Sequence, residues 1–386
     1  MLELLEHLVY LEHLEYLEHL ALLDFLETTR PQNMTSKIHF QCDYTEGAHP
    51  SIMQRLIATN MEQTVGYGED PYCDTARRKV REACNAPDAD VHFLVGGTQT
   101  NATLISHTLR PYEGVIAADT AHIAQHETGA IEHAGHKVLT LPARDGKISA
   151  QQVRTLMEEH LADSSFEHTV RPAMVYISFP TELGTLYSKA ELQALRSVCD
   201  EYKLPLFLDG ARLGYGLAAP SCDVTLEEIA QFTDVFYIGG TKVGALFGEA
   251  LVINHPQIKA HFRYSIKQGG GMLAKGRLLG LQFDTLFTDN LMNEISQHAI
   301  HQALRICDTL KACGISFLVE TDTNQLFPIL PNAWIKQLES RFQFSFWQKK
   351  DEQHSAVRIC TSWATTEENV NALIEAIQQL HSKANA

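Results

Sequence analysis

Seven short runs of continuous apolar residues constrain the fold of this chain more than any other feature. They read VHFLV (91–95), GVIAAD (114–119), KVLTL (137–141), AMVYIS (173–178), PLFLD (205–209), VFYIG (235–239) and ALVIN (250–254). A strand with one face in water alternates apolar and polar residues, whereas a run that is apolar throughout has both faces covered. Between the runs lie stretches of helical character, such as 98–109, 149–161 and 188–203, the last with Leu192, Leu195, Val198 and Cys199 near helical spacing. This alternation predicts an open, mostly parallel α/β sheet of seven strands with helices on both faces.

The pattern changes toward the C-terminus. A long helix is expected over about 289–312, followed by strands within ISFLVE, NQLFPIL, FQFSFW and AVRICTSW, a helix near 331–340 and a final helix over 366–383. That is an α+β companion to the larger sheet. KKDE (349–352) falls between two of these strands and reads as a solvated hairpin tip. The expected division is an extension (1–33), a large α/β domain (61–284) and a smaller α+β domain built from 34–60 and 285–386.

The extension repeats LEHLVY, LEHLEY and LEHLAL with a period of six. Six residues advance a helix by about 600°, so successive units face different directions and the leucines drift around the cylinder. A helix is expected there, but a poor coiled coil. Three readings stay open: a docking helix, a low-complexity extension, or translated tandem DNA upstream of a start at Met34. His7, His13 and His19 share no helix face, which argues against a metal site.

Charge and cysteine usage exclude several classes of function. The chain of 386 residues has a net charge of −16, and residues 1–30 hold seven acids against Arg30 alone. A nucleic-acid binder would show a basic stripe, and an anionic membrane would repel this surface. No run of 18 apolar residues is present. Eight cysteines are scattered without a CxxC pair, and MLELLEHL lacks the basic start of a secretory signal. A soluble, cytoplasmic protein with free thiols is expected.

Three signals carry chemistry. Lys242 sits among small and apolar residues, IGGTKVGA, that would desolvate its ammonium and free the amine as a nucleophile; an exposed loop lysine is the alternative. Asp209 closes PLFLD at a strand end, where α/β proteins place ligands, although Asp209-Gly210 also reads as a simple turn. Gly96-Gly97-Thr98-Gln99-Thr100-Asn101 follows a strand and opens a helix, offering backbone N–H groups to a phosphate. It is neither GxGxxG nor a Walker A loop, which disfavours a dinucleotide or nucleoside triphosphate. A phosphate cup, a carboxylate for a ring nitrogen and a Schiff-base lysine are together what a pyridoxal phosphate enzyme needs.

The motifs extend well beyond those three. CDYTEGAHP (42–50), YGEDPY (67–72), GGTQTN (96–101), HIAQHETGA (122–130), TELGTLY (181–187), LDGARL (208–213), GGTKVGA (239–245) and KQGGGM (267–272) resemble the threonine aldolase and β-eliminating lyase branch of the fold-type-I pyridoxal phosphate enzymes, over about 38–375. The resemblance implies that Lys242 binds pyridoxal 5′-phosphate covalently, that Asp209 pairs with its ring nitrogen and that His122 stacks on the ring. It implies that Gly97, Thr98, Gln99 and Thr241 cup the phosphate, with Lys267 reaching it from a neighbouring subunit. Arg212 and Arg358 match arginines that grip a substrate carboxylate, and Cys42, Tyr67 and Thr181 fall at substrate-binding positions.

Two positions depart from the pattern: Cys42 stands where many members carry serine, and Thr181 where many carry histidine. His122 or a water could then serve as the base. The reaction implied is cleavage of the Cα–Cβ bond of a β-hydroxy-α-amino acid, threonine or allo-threonine, to glycine and an aldehyde. β-Elimination or transamination of another amino acid, and a non-catalytic homologue, are the alternatives. The expected partners are a small amino acid and further copies of this chain, as a homodimer or homotetramer. His122 and His126 lie four apart but complete no metal motif.

Overall fold

The structure is a computed structural model that describes residues 37–384. From His39 onward the described residues form one compact unit, and the hexapeptide repeat with its expected helix lies outside the described residues.

All seven apolar runs form strands of one sheet: β1 (Asp90–Leu94), β2 (Glu113–Ala118), β3 (Lys137–Leu141), β4 (Arg171–Ser178), β5 (Leu206–Asp209), β6 (Val235–Gly239) and β7 (Glu249–Ile253). Their order is β1-β7-β6-β5-β4-β2-β3. Parallel pairing joins β3, β2, β4, β5 and β6 in succession, while β7 runs antiparallel to both β6 and β1. Strands β2, β5, β6 and β7 are buried throughout, as their unbroken apolar character requires. Edge strand β3 exposes Lys137 and Thr140 and is the least buried strand of the sheet.

The intervening helices begin where capping side chains stop the backbone from extending. Ser188 accepts from the Glu191 N–H and Glu191 returns a bond to the Ser188 N–H, starting the helix Lys189–Tyr202; Thr225 and Glu228 do the same for Leu226–Phe232. The helix Gly97–Thr108 has no side-chain cap, and its first turn follows directly from β1.

Beyond the long helix Leu291–Ala312, a smaller antiparallel sheet contains β8 (Gln325–Leu326), β9 (Ile329–Pro331), β10 (Ser345–Lys349) and β11 (His354–Cys360). Strand β11 pairs with each of the other three. Lys350, Asp351 and Glu352 are exposed between β10 and β11, the solvated tip expected of KKDE. ISFLVE differs from expectation. It forms no strand, only a single bridge from Phe317 to Pro328, because Phe317 and Leu318 stay half-exposed and only Val319 is buried.

One edge of the large sheet collects the chemistry. The carboxyl ends of β4, β5 and β6 and the loop after β1 meet there, and antiparallel β7 delivers its beginning, Glu249, to the same edge.

Candidate active site

A cleft of about 340 Å³ opens along this edge. Gly97, Thr98, His122, Asp209, Arg212, Thr241 and Lys242 all line it, with Tyr44, Glu182 and Glu249. Residues scattered over half of the chain thus share one space because parallel strands end side by side.

Asp209 forms the floor. It is 4% exposed and accepts hydrogen bonds from Tyr176 Oη at 2.5 Å, the Ala211 N–H at 3.0 Å and Asn101 Nδ2 at 3.3 Å. Burial raises its carboxyl pKa, but the His122 imidazole and the Tyr176 and Tyr237 phenols outweigh burial, so the net shift is downward. Both phenols are held protonated, first by burial and then by the Asp209 charge, and so remain donors. An ionised carboxylate ringed by neutral donors is a stable partner for a protonated ring nitrogen. Gly210 lets β5 and β6 close up behind it: a Cβ there would lie 1.9 Å from the Tyr237 carbonyl oxygen. Gly97 likewise leaves room, since its Cβ would come 3.0 Å from Tyr237 Oη.

Lys242 follows β6 and is half-buried. Burial, and then repulsion from the Arg212 guanidinium, lower its amine pKa, while Asp43, Asp209 and Glu249 oppose the shift without reversing it. The Tyr215 hydroxyl anchors its backbone by donating to the Lys242 carbonyl at 2.6 Å.

His122 stands opposite, tied to the floor through shared partners. Its Nδ1 lies 2.8 Å from Glu127 Oε1, which also accepts from Asn101 Nδ2 at 2.8 Å. In the tautomer that donates Nδ1–H to Glu127, Nε2 carries the lone pair. The His122 backbone N–H donates to Glu182 Oε1 at 2.9 Å, and the Ser178 hydroxyl to the same oxygen at 2.6 Å. Burial pushes the Glu182 carboxyl up.

The rim is an ion-pair network. Arg212 donates through Nε to Asp43 Oδ2 at 2.7 Å and through Nη2 to Oδ1 at 3.0 Å, a bidentate pair. Asp43 is wholly buried and also receives Asn324 Nδ2 at 2.9 Å. Burial raises Asp43, and Arg212 and Lys242 more than reverse it. Arg358, on β11, donates through Nη2 to the Gln41 carbonyl at 2.9 Å and lies 5.7 Å from the Trp347 ring centroid; its Nε is buried without a hydrogen-bond partner among the described residues. Arg358 and Arg212 both act electrostatically on Tyr44, which lines the cleft.

Five expected site residues lie elsewhere. Thr181 is 1% exposed, its hydroxyl engaged with Thr185 Oγ1 at 2.7 Å, and its neighbours Pro180 and Glu182 face the cleft instead. Gln99 turns its side chain to the Val95 N–H and the Gly269 carbonyl. Lys267 lies over the Tyr67 ring, 4.8 Å from its centroid; both are exposed, away from the cleft-lining residues. Cys42 is half-buried beside Asp43 and does not line the cleft. Sequence reasoning missed Asp43, Glu182, Glu249 and the two floor tyrosines. Asp43 and Glu182 stood inside quoted motifs, but nothing local marked their partners.

Residues 40–359 match the beta-eliminating lyase family. The low specificity L-threonine aldolase of Pseudomonas aeruginosa is 27% identical over 342 residues, 88% of this chain and 96% of its own length. That of Saccharomyces cerevisiae is 25% identical over 302 residues, 77% of this chain and 75% of its own. Among solved structures, the threonine aldolase of Leishmania major superposes with a TM-score of 0.87 at 45% identity, over 89% of this chain and 99% of that one. An aspartate aminotransferase variant of Thermus thermophilus does so with a TM-score of 0.66 at 17% identity, over 89% and 91%, which is a likeness of fold.

Proposed function

We propose, from the premise that the chain belongs to the beta-eliminating lyase family, that this pyridoxal phosphate-dependent lyase splits the Cα–Cβ bond of β-hydroxy-α-amino acids, threonine and allo-threonine first, to glycine and acetaldehyde. The observation that carries this reading is the meeting of Gly97, Thr98, His122, Asp209 and Lys242 around one cleft.

The residues present fit the cofactor. The first turn of the helix Gly97–Thr108 would hold the phosphate, Asp209 would pair with the ring nitrogen, Lys242 would supply the amine for the aldehyde, and His122 would lie against the ring. When bound, pyridoxal phosphate supplies an electron-accepting ring that stabilises a carbanion at Cα. Everything else falls to side chains of this chain. Arg212, fixed in plane by Asp43, orients the substrate carboxylate, and Arg358 adds the charge that draws it to the rim. His122 Nε2 accepts the β-hydroxyl proton, with Glu127 holding the tautomer through Nδ1. Thr181 takes no part in that transfer, its hydroxyl being engaged with Thr185.

Residues 61–284 act as the cofactor domain, with 34–60 and 285–386 as its companion. The exposed pair Lys267 and Tyr67 supports a role toward a neighbouring copy, in a homodimer or homotetramer. The eight free thiols and the acidic balance support a cytoplasmic setting; among the described residues no helix is long and apolar enough to cross a membrane.

The test is aldehyde release from L-threonine and L-allo-threonine by the purified protein with pyridoxal 5′-phosphate. Release is expected with both, and Lys242→Ala is expected to lower it by about 10³-fold or more. Pyruvate and ammonia from serine or cysteine, with no aldehyde from threonine, would replace this reading with β-elimination.

A further inference from the structure

Glu249 opens the one strand of the large sheet that runs against its neighbours, so it enters the cleft from the opposite chain direction to Asp209 and Lys242. It is 3% exposed and lines the cleft together with Gly97, Thr98 and Thr241. Its Oε1 accepts from Thr241 Oγ1 at 3.2 Å, and that hydroxyl accepts from the Gly248 N–H at 2.9 Å. The Thr241 proton is therefore committed to Glu249 and unavailable to a phosphate. The other oxygen, Oε2, is buried with no hydrogen-bond partner among the described residues.

A buried carboxyl oxygen of this kind is costly as an anion and serviceable as an O–H donor when an acceptor stands before it. The charged and titratable groups facing it are Lys242 from the loop before β7, Asp209 from β5 and Tyr237 from β6. From β1 its ladder partner is the apolar Leu94, and Val95, Gly97 and Thr98 line the same cleft from the loop and helix that follow. Burial first, with the Asp209 charge adding to it against the pull of Lys242, pushes the Glu249 carboxyl up to about 8. A phosphate on the helix N-terminus would raise it further.

We propose that Glu249 is held as a neutral acid and donates its Oε2 proton to the phosphate of the cofactor. This rests on reading the cleft as a pyridoxal phosphate site. The phosphate cup then consists of backbone N–H groups from the first helical turn plus one un-ionised glutamic acid, with Thr241 positioning that acid rather than touching the phosphate.

The experiment compares the native protein with Glu249→Gln, whose amide donates and never ionises. Dissociation constants for pyridoxal 5′-phosphate and for phosphate-free pyridoxal are measured by fluorescence titration from pH 7 to 9.5. Above the free carboxyl's pKa the native protein must retain a proton to bind phosphate, so its affinity falls by up to about tenfold per pH unit. The native-to-variant ratio of dissociation constants for pyridoxal phosphate is expected to rise about tenfold or more over that range, and the ratio for pyridoxal to stay constant. A constant ratio for pyridoxal phosphate overturns the proposal and leaves the cofactor reading intact. An equal rise for both ligands also overturns it, placing the effect on Lys242. Failure of the native protein to bind either ligand at any pH overturns the cofactor reading and this proposal with it. If the variant does not fold, the native protein decides: its affinity for pyridoxal phosphate must fall more steeply above pH 8 than its affinity for pyridoxal.

Discussion

The floor of the cleft and its rim both hold a buried aspartate, and they hold it by opposite means. Asp209 takes its hydrogen bonds from neutral donors, Tyr176, Asn101 and the Ala211 N–H, and no ion pair among the described residues neutralises it, so its negative charge remains for whatever enters the cleft. Asp43 meets both arms of the Arg212 guanidinium, and the pair is neutral as a unit. The floor therefore stores charge, while the rim stores orientation. Arg358 is the counterpart that brings positive charge to the rim, because its contacts are a carbonyl and an indole rather than a carboxylate.

The contrast breaks most sharply at the floor. Asp209→Asn keeps the shape and removes the charge, and kcat for threonine cleavage is expected to fall by about 10³-fold; a loss below tenfold would show that the stored charge is not what the floor contributes. At the rim, Asp43→Asn leaves the Arg212 charge buried and unpaired, a defect worth about 3 kcal/mol. KM for the amino acid should rise about 100-fold with cofactor affinity unchanged, and an equal loss in cofactor affinity would erase the division of labour. The smallest effect is expected of Tyr176→Phe, which removes one donor to a charged acceptor, about 1.5 kcal/mol. The native Asp209 carboxyl lies below its ordinary value, so activity persists into acid until that carboxyl protonates. Losing the phenol raises it, and the acid limb of the kcat–pH profile should move up by about one unit.

Strands with two buried faces were the most legible part of this molecule: VFYIG occupies β6 residue for residue, because little else in a globular chain is apolar without a break. ISFLVE carried the same composition without the burial, and composition alone could not tell the two apart. Lys242, Asp209 and Gly97 were legible in the site because each follows or closes such a strand. Asp43 was not, since its partners Arg212 and Asn324 lie 169 and 281 residues away. Glu249 was overlooked for a different reason. Strand direction is not written in a run of apolar residues, and only an antiparallel β7 turns an acid at the start of a strand into a lining residue of the cleft.

The hydrogen bond from Arg358 to Gln41 spans 317 positions, and it gives the cleft a timetable during synthesis. Strand β7 is complete once residue 253 has emerged, whereas β11 must wait for residue 360. A ribosome adding about 5–20 residues per second needs roughly 5–20 s for the intervening hundred or so. Through that interval the nascent chain already contains Asp209, Lys242 and the helix N-terminus but lacks Arg358, and until residue 324 emerges Asp43 also lacks Asn324. Premature termination before β11 therefore yields a polypeptide with the groups of the floor and an unfinished rim.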